Sequence, residues 1–211
     1  MTQHEFQPVT DWVTPGARVL DLGCGDGALL AHLRDVYQVK GYGLEIDIDN
    51  IVHCMARGVN VIQADLDQGL ADFSDLSFDT VILLQTLQAV RFPANLLREM
   101  LRVGHEGVVT FPNFGHWRAR AQLTLGGRMP VTRTMPSQWY ETANIHLFTL
   151  KDFETLCRHE GIDVVQRVLL SADGSESTLS RAWPTLFTEV AVYRVRRSAQ
   201  RASSRATLRG A

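Results

Sequence analysis

The sequence predicts an α/β protein built on a doubly wound, mostly parallel sheet. Three observations lead there. Short apolar runs bounded by turn residues recur along the chain, helical patterns separate them, and the first run ends in a glycine-rich loop that opens a helix. The strand-like runs are 18–22, 41–45, 59–64, 78–85 and 107–111, followed by two more at 164–170 and 189–195. Their alternation with helices implies parallel pairing with right-handed crossovers, which places helices on both faces of the sheet. The last two runs, separated by a long polar stretch at 171–180, are read as an antiparallel hairpin at the C-terminal side of a seven-stranded sheet.

The helical patterns are read from their apolar spacing. Segment 28–34 puts Leu29, Leu30 and Leu33 on one face, and 94–103 does the same with Leu96, Leu97, Met100 and Leu101 before a stop at Gly104. Segment 150–160 turns Phe153, Leu156 and Cys157 inward. Between Phe111 and this last helix the rhythm breaks into a stretch rich in Arg, Trp, Gly and Pro, read as an insertion over the ligand crevice at about 112–148. An Asp173-Gly174 turn signal lies between the last two runs.

The 211 residues suit one domain, taken as 1–195, with a basic tail at 196–211 that reads as a solvated, disordered terminus. The net charge of −2 hides an asymmetry: residues 194–211 hold six arginines and no acid, so the body is acidic. That sign disfavours a broad nucleic-acid-binding face and predicts no specific nucleic-acid partner. Three dispersed cysteines without a CxxC predict reduced thiols and neither a disulfide framework nor a metal site. The absence of a leader pattern and of a long apolar run leads to the expectation of a cytoplasmic protein with no membrane span. Oligomeric state is not legible.

The chemistry concentrates in Val19-Leu20-Asp21-Leu22-Gly23-Cys24-Gly25-Asp26-Gly27. Alternating glycines let backbone approach a ligand closely, and the following helix aims its N–H groups at the same place. The spacing is G-x-G-x-G, unlike the dinucleotide fingerprint G-x-G-x-x-G, and Asp26 inside the loop would repel a pyrophosphate. A cationic ligand without phosphate tolerates that acid, a description that fits S-adenosylmethionine (SAM). Glu45, ending the second strand, is placed to accept from ribose hydroxyls, and Ile46 to supply a wall for adenine. Asp65, before Leu66, either accepts from the adenine amine or simply caps a helix. Asp21 is placed to orient an ammonium group, Cys24 fills the loop, and Gln85 faces the same crevice from the fourth strand.

These pieces resemble the class I SAM-dependent methyltransferases, and more closely the methionine biosynthesis protein MetW family. The resemblance runs from Trp12 to about Arg167. It is carried by Trp12-Val13-Thr14-Pro15-Gly16, by 20–27, by Gly43-Leu44-Glu45-Ile46-Asp47 and by Leu84-Gln85-Thr86-Leu87-Gln88. Two more specific motifs complete it, Phe111-Pro112-Asn113-Phe114-Gly115-His116-Trp117-Arg118 and Asn144-Ile145-His146. It implies a Rossmann-like fold that binds SAM or S-adenosylhomocysteine, and a role in methionine biosynthesis as partner or activator of a homoserine O-acyltransferase of the MetX type. The alternative is a SAM-dependent methyltransferase acting on a small metabolite. Asn113, His116, Trp117, Arg128, Trp139, Tyr140 and His146 are the candidates for an acceptor pocket or a protein interface. Packing and satisfied hydrogen bonds within the insertion are the competing explanation for the same residues.

Overall fold

The computed structural model describes residues 3–171 and 174–199. Seven strands form one sheet: β1 (Arg18–Leu22), β2 (Lys40–Glu45), β3 (Asn60–Gln63), β4 (Phe78–Leu84), β5 (Gly104–Pro112), β6 (Ile162–Leu170) and β7 (Val190–Arg197). Their spatial order is β3-β2-β1-β4-β5-β7-β6. Pairs among β1 to β5 are parallel, while β7 runs antiparallel to both β5 and β6. The chain winds outward from β1 to β3, then returns to place β4 on the other side of β1. This switch opens a crevice outside the carboxyl ends of β1 and β4.

The helices are α1 (Gln3–Thr10), α2 (Ala28–Tyr37), α3 (Ile48–Ala56), α4 (Pro93–Val103), α5 (Trp117–Gly126), α6 (Leu150–Glu160), α7 (Thr178–Ala182) and α8 (Pro184–Phe187). Residues alternate between the two faces of the sheet, so each strand feeds two cores. On one face Leu20, Leu22, Val81 and Leu83 pack with Leu97 and Met100 of α4 and Phe153 of α6. On the other, Val19, Ile82, Leu84 and Val108 pack with Leu29, Leu30 and Leu33 of α2 and with Cys54 of α3. The long polar link before α6 ends in a capping box, in which Thr149 and Asp152 satisfy each other's backbone N–H groups.

Several boundaries differ from the sequence reading, each for a local reason. Gln85 takes a left-handed φ of 47°, which ends β4 one residue early. Gly104 closes α4 in an extended conformation and itself starts β5, three residues before the expected 107. β7 continues through Arg196 and Arg197, two residues past the expected strand end at 195. Arg194 of that strand pairs with Glu106 at 2.7 Å. Residues 200–211 of the predicted tail and Asp173 of the turn signal lie outside the described residues. Among the described residues no helix is long and apolar enough to cross a membrane.

Candidate ligand crevice

The glycine loop leaves β1 and folds back over β2, with the N–H groups of Gly23 and Cys24 both donating to the Leu44 carbonyl, at 2.8 and 3.0 Å. Gly23, Gly25 and Gly27 all have positive φ. The three have different reasons to be glycine. A Cβ at Gly23 would lie 2.7 Å from Thr86 Oγ1, and one at Gly27 would lie 2.9 Å from Cys54 Sγ, so both positions are closed by the protein itself. At Gly25 a Cβ would meet nothing within 4 Å: the backbone there faces open space.

Glu45 holds the loop in that shape. It is 8% exposed. Its Oε2 accepts from the Gly25 N–H at 2.8 Å, and its Oε1 accepts from the Ile46 and Asp47 N–H groups at 2.9 and 3.0 Å. A carboxylate has about four lone-pair sites, so acceptor capacity remains after these three bonds. Asp21 sits behind the loop, 2% exposed, and its Oδ1 has no hydrogen-bond partner. Burial, reinforced by the nearby charge of Glu45, raises its pKa to about 7.

Two thiols pack under the loop. Cys24 and Cys54 approach to 3.8 Å between sulfurs, and Cys54 donates to the Gly25 carbonyl at 3.1 Å. Burial pushes both thiols upward, away from the thiolate. Asp26 pairs with Arg57 at 2.7 Å and caps the Ala28 N–H at 3.1 Å. Its charge is thus offset within the chain, and the argument that Asp26 repels a pyrophosphate is weaker than the sequence suggested. Asp21 and Glu45 carry the negative character of the crevice. The contributions of Cys54 and Arg57 were missed, although Asp47 before Ile48 is a helix N-cap signal, and its carboxylate does accept from the Asp49 and Asn50 N–H groups.

The remaining candidates lie around this centre. Ile46 is exposed beside Glu45. Asp65 accepts from the Asp67 N–H at 3.0 Å and caps a short 3-10 turn over Leu66–Gln68, while Leu66 packs against the core. Gln85 donates its N–H to Thr110 and accepts at its carbonyl from the Gln88 side chain at 2.6 Å.

The insertion is tied down by polar contacts. Asn113 donates to the Thr185 and Thr188 carbonyls and accepts from the Gly115 N–H, so each of its side-chain polar atoms is engaged. Buried Glu189 receives Arg133 at 3.2 Å and Arg118 at 3.8 Å, and Arg120 donates to the Gly115 carbonyl at 2.6 Å. No sequence signal marks Glu189 as their partner. His116 is buried beside this group, and desolvation lowers its pKa. Trp117 is half exposed with the Arg118 guanidinium 5.5 Å from its ring centroid, while Arg128, Trp139 and Tyr140 are exposed, the last two rings meeting edge to face. His146 lines a separate cavity of about 290 Å³ with Leu87, Pro93, Phe148 and Phe153, to which no glycine-loop residue contributes. The structure therefore gathers Asp21, Gly23, Cys24, Gly25, Gly27 and Glu45 at one place, and His146 lines another.

The chain is similar to a SAM-dependent methyltransferase from Mesorhizobium loti, with a TM-score of 0.68 at 18% identity, covering 92% of this chain and 98% of that one. It is 31% identical over 175 residues to a ubiquinone biosynthesis O-methyltransferase of Paracidovorax citrulli, 77% of this chain and 73% of that protein. It is 34% identical over 195 residues to the bifunctional methionine biosynthesis protein MetXA/MetW of Rhodopirellula baltica; this covers 88% of the chain but only 31% of that protein's length. The family model of the methionine biosynthesis protein MetW matches residues 3–195, and the chain belongs to that family.

Proposed function

We propose that this chain is a SAM-binding subunit of methionine biosynthesis that acts with a homoserine O-acyltransferase. The observation that carries the ligand assignment is the buried Asp21 carboxylate, whose Oδ1 has no hydrogen-bond partner, beneath a loop whose Gly25 faces open space. A buried carboxyl group without a partner is costly, and a ligand ammonium would relieve that cost. Asp21 would hold the amino-acid end of SAM, the loop its backbone contacts, Glu45 the ribose hydroxyls, and Ile46 with Asp65 the adenine. When bound, SAM supplies an electrophilic methyl group on a sulfonium. The partner assignment draws on the Rhodopirellula relative, in which MetXA and MetW stand in one bifunctional protein.

Isothermal calorimetry with SAM and S-adenosylhomocysteine, each with and without the acyltransferase, tests the reading. Saturable binding and a stable complex are expected; absence of both would overturn it. Glu45→Ala gives a sharper expectation. It removes any charge-assisted bonds to the ribose and releases the three N–H groups now bonded to Glu45. Affinity for SAM should fall by about 1.5–3 kcal/mol, or one to two decades, and the ligand-free melting temperature should fall as well. Unchanged calorimetric affinity in a folded variant would remove Glu45 from the site.

A second reading, methyl transfer to a small metabolite, is favoured by His116. Burial favours the neutral form of this imidazole, the form that takes a proton from an acceptor hydroxyl or ammonium. Incubating the protein with methyl-labelled SAM and cell extract distinguishes the two: a labelled small product supports an enzyme.

A further inference from the structure

We infer that the outer face of α3 is the docking surface for the acyltransferase partner, and that α3 transmits docking to the ligand loop; this rests on the partner reading above. Ile48, Val52 and Met55 follow i, i+4, i+7 spacing and so share one helix face, with 65%, 57% and 68% of their surfaces exposed. Three large apolar side chains in a row facing solvent are unusual for a helix packed on a sheet, whose apolar stripe ordinarily points inward. Here Cys54 is the one fully buried residue of the helix, with Ile51 half-buried a turn before it. The neighbouring β3 pairs only with β2, so it is an edge of the sheet, and it adds the exposed Ile62.

The same helix grips the glycine loop with its other side. Cys54 donates to the Gly25 carbonyl at 3.1 Å, and Arg57, at the helix end, donates from Nε to the Asp26 carbonyl at 3.0 Å and from a terminal nitrogen to its carboxylate at 2.7 Å. A body pressed on Ile48, Val52 and Met55 therefore bears on an element with three bonds to the proposed SAM-binding loop. The insertion also exposes apolar side chains, Leu125, Trp139 and Tyr140 among them, but Arg118, Arg120 and Arg133 tie it to Glu189 and Gly115, whereas α3 is bonded to the glycine loop itself. The occupant is the acyltransferase, since MetXA is the module that accompanies MetW in the bifunctional relative. By linkage, a partner that favours the ligand-bound loop raises SAM affinity, and SAM raises partner affinity by the same factor.

The test uses the full chain and its purified acyltransferase. Val52→Glu/Met55→Glu places charges on the face at exposed helix positions where Glu is well tolerated. The double variant should melt within a few degrees of wild type, bind SAM alone with wild-type affinity, and bind the acyltransferase at least tenfold more weakly. For the wild type, saturating acyltransferase should shift SAM affinity severalfold, and the variant should lose that shift. If the wild type binds the acyltransferase and the variant binds it equally well, α3 is not the docking face, while the partner reading stands. If the wild type shows no association, both fail. If light scattering shows a wild-type dimer that the variant breaks, with acyltransferase affinity unchanged, the face belongs to a second copy and the inference is wrong. Association lost in the variant with no wild-type effect on SAM affinity would keep the surface and overturn the transmission.

Discussion

Gly25→Val is expected to abolish SAM binding, by at least 100-fold in calorimetry, while leaving a cooperative thermal melt. The side chain would enter the space over the loop, where a Cβ meets nothing within 4 Å beyond its own chain neighbours, so the folded protein loses little contact. The cost to folding comes from the backbone. A φ of 55° is left-handed, which disfavours a β-branched residue by about 1–2 kcal/mol. Gly27→Val is the contrasting control. Its Cβ would fall 2.9 Å from Cys54 Sγ and 3.4 Å from the Cys54 Cα, so it should lose the fold together with binding. Gly25→Ala separates space from strain, since it intrudes less and should retain weak binding. A folded Gly25→Val protein that titrates SAM normally would show that the open face of the loop is not where the ligand lies.

The fold was legible because its central strands, β1 and β4 above all, are buried on both faces. Runs such as 18–22 and 78–84 are predominantly apolar, with Arg18, Asp21, Asp79 and Thr80 as the exceptions, and the glycine loop and Glu45 follow from where those runs stop. α3 was not legible for the opposite reason: its apolar residues point outward, and its one buried position is a cysteine, so no inward stripe announces a helix. The extension of β7 was hidden by charge, since Arg196 and Arg197 resemble a tail until β6 is placed beside them, Asp163 opposite Arg196 and Ile162 opposite Arg197. The environment of the site was the least legible part. Glu45 was assigned to a ligand from its position, but its three backbone bonds depend on how the loop folds back over β2. Arg57 with Asp26, and Arg133 with Glu189, are separated by 31 and 56 residues, and only the tertiary fold selects such pairs.

Asp21→Asn is expected to stabilise the ligand-free protein at pH 8 and to weaken SAM binding in the same experiment. The Asp21 carboxyl has its pKa raised to about 7, chiefly by burial and secondly by the charge of Glu45. Because the folded-state pKa lies above the unfolded one, the folded state binds the proton more tightly. The associated stability is present below the unfolded pKa near 4 and is lost as pH rises toward and through 7. At pH 8 the ionised group therefore destabilises the ligand-free fold, by an amount on the order of a few kcal/mol. An amide of the same shape carries no charge to bury. The melting temperature of Asp21→Asn should exceed that of wild type by several degrees at pH 8, and the difference should shrink toward pH 5. Binding shows the mirror image. A ligand ammonium favours the ionised carboxylate, so wild-type affinity for SAM should rise through the range around pH 7 and level off above it. The variant should bind at least tenfold more weakly at pH 8 and should lack this rise. Equal melting temperatures at pH 5 and pH 8, with SAM affinity unchanged, would mean that Asp21 is neither strained by its burial nor used by the ligand. A gain in stability coupled to a loss of affinity would identify the buried charge as a cost that the fold retains for binding.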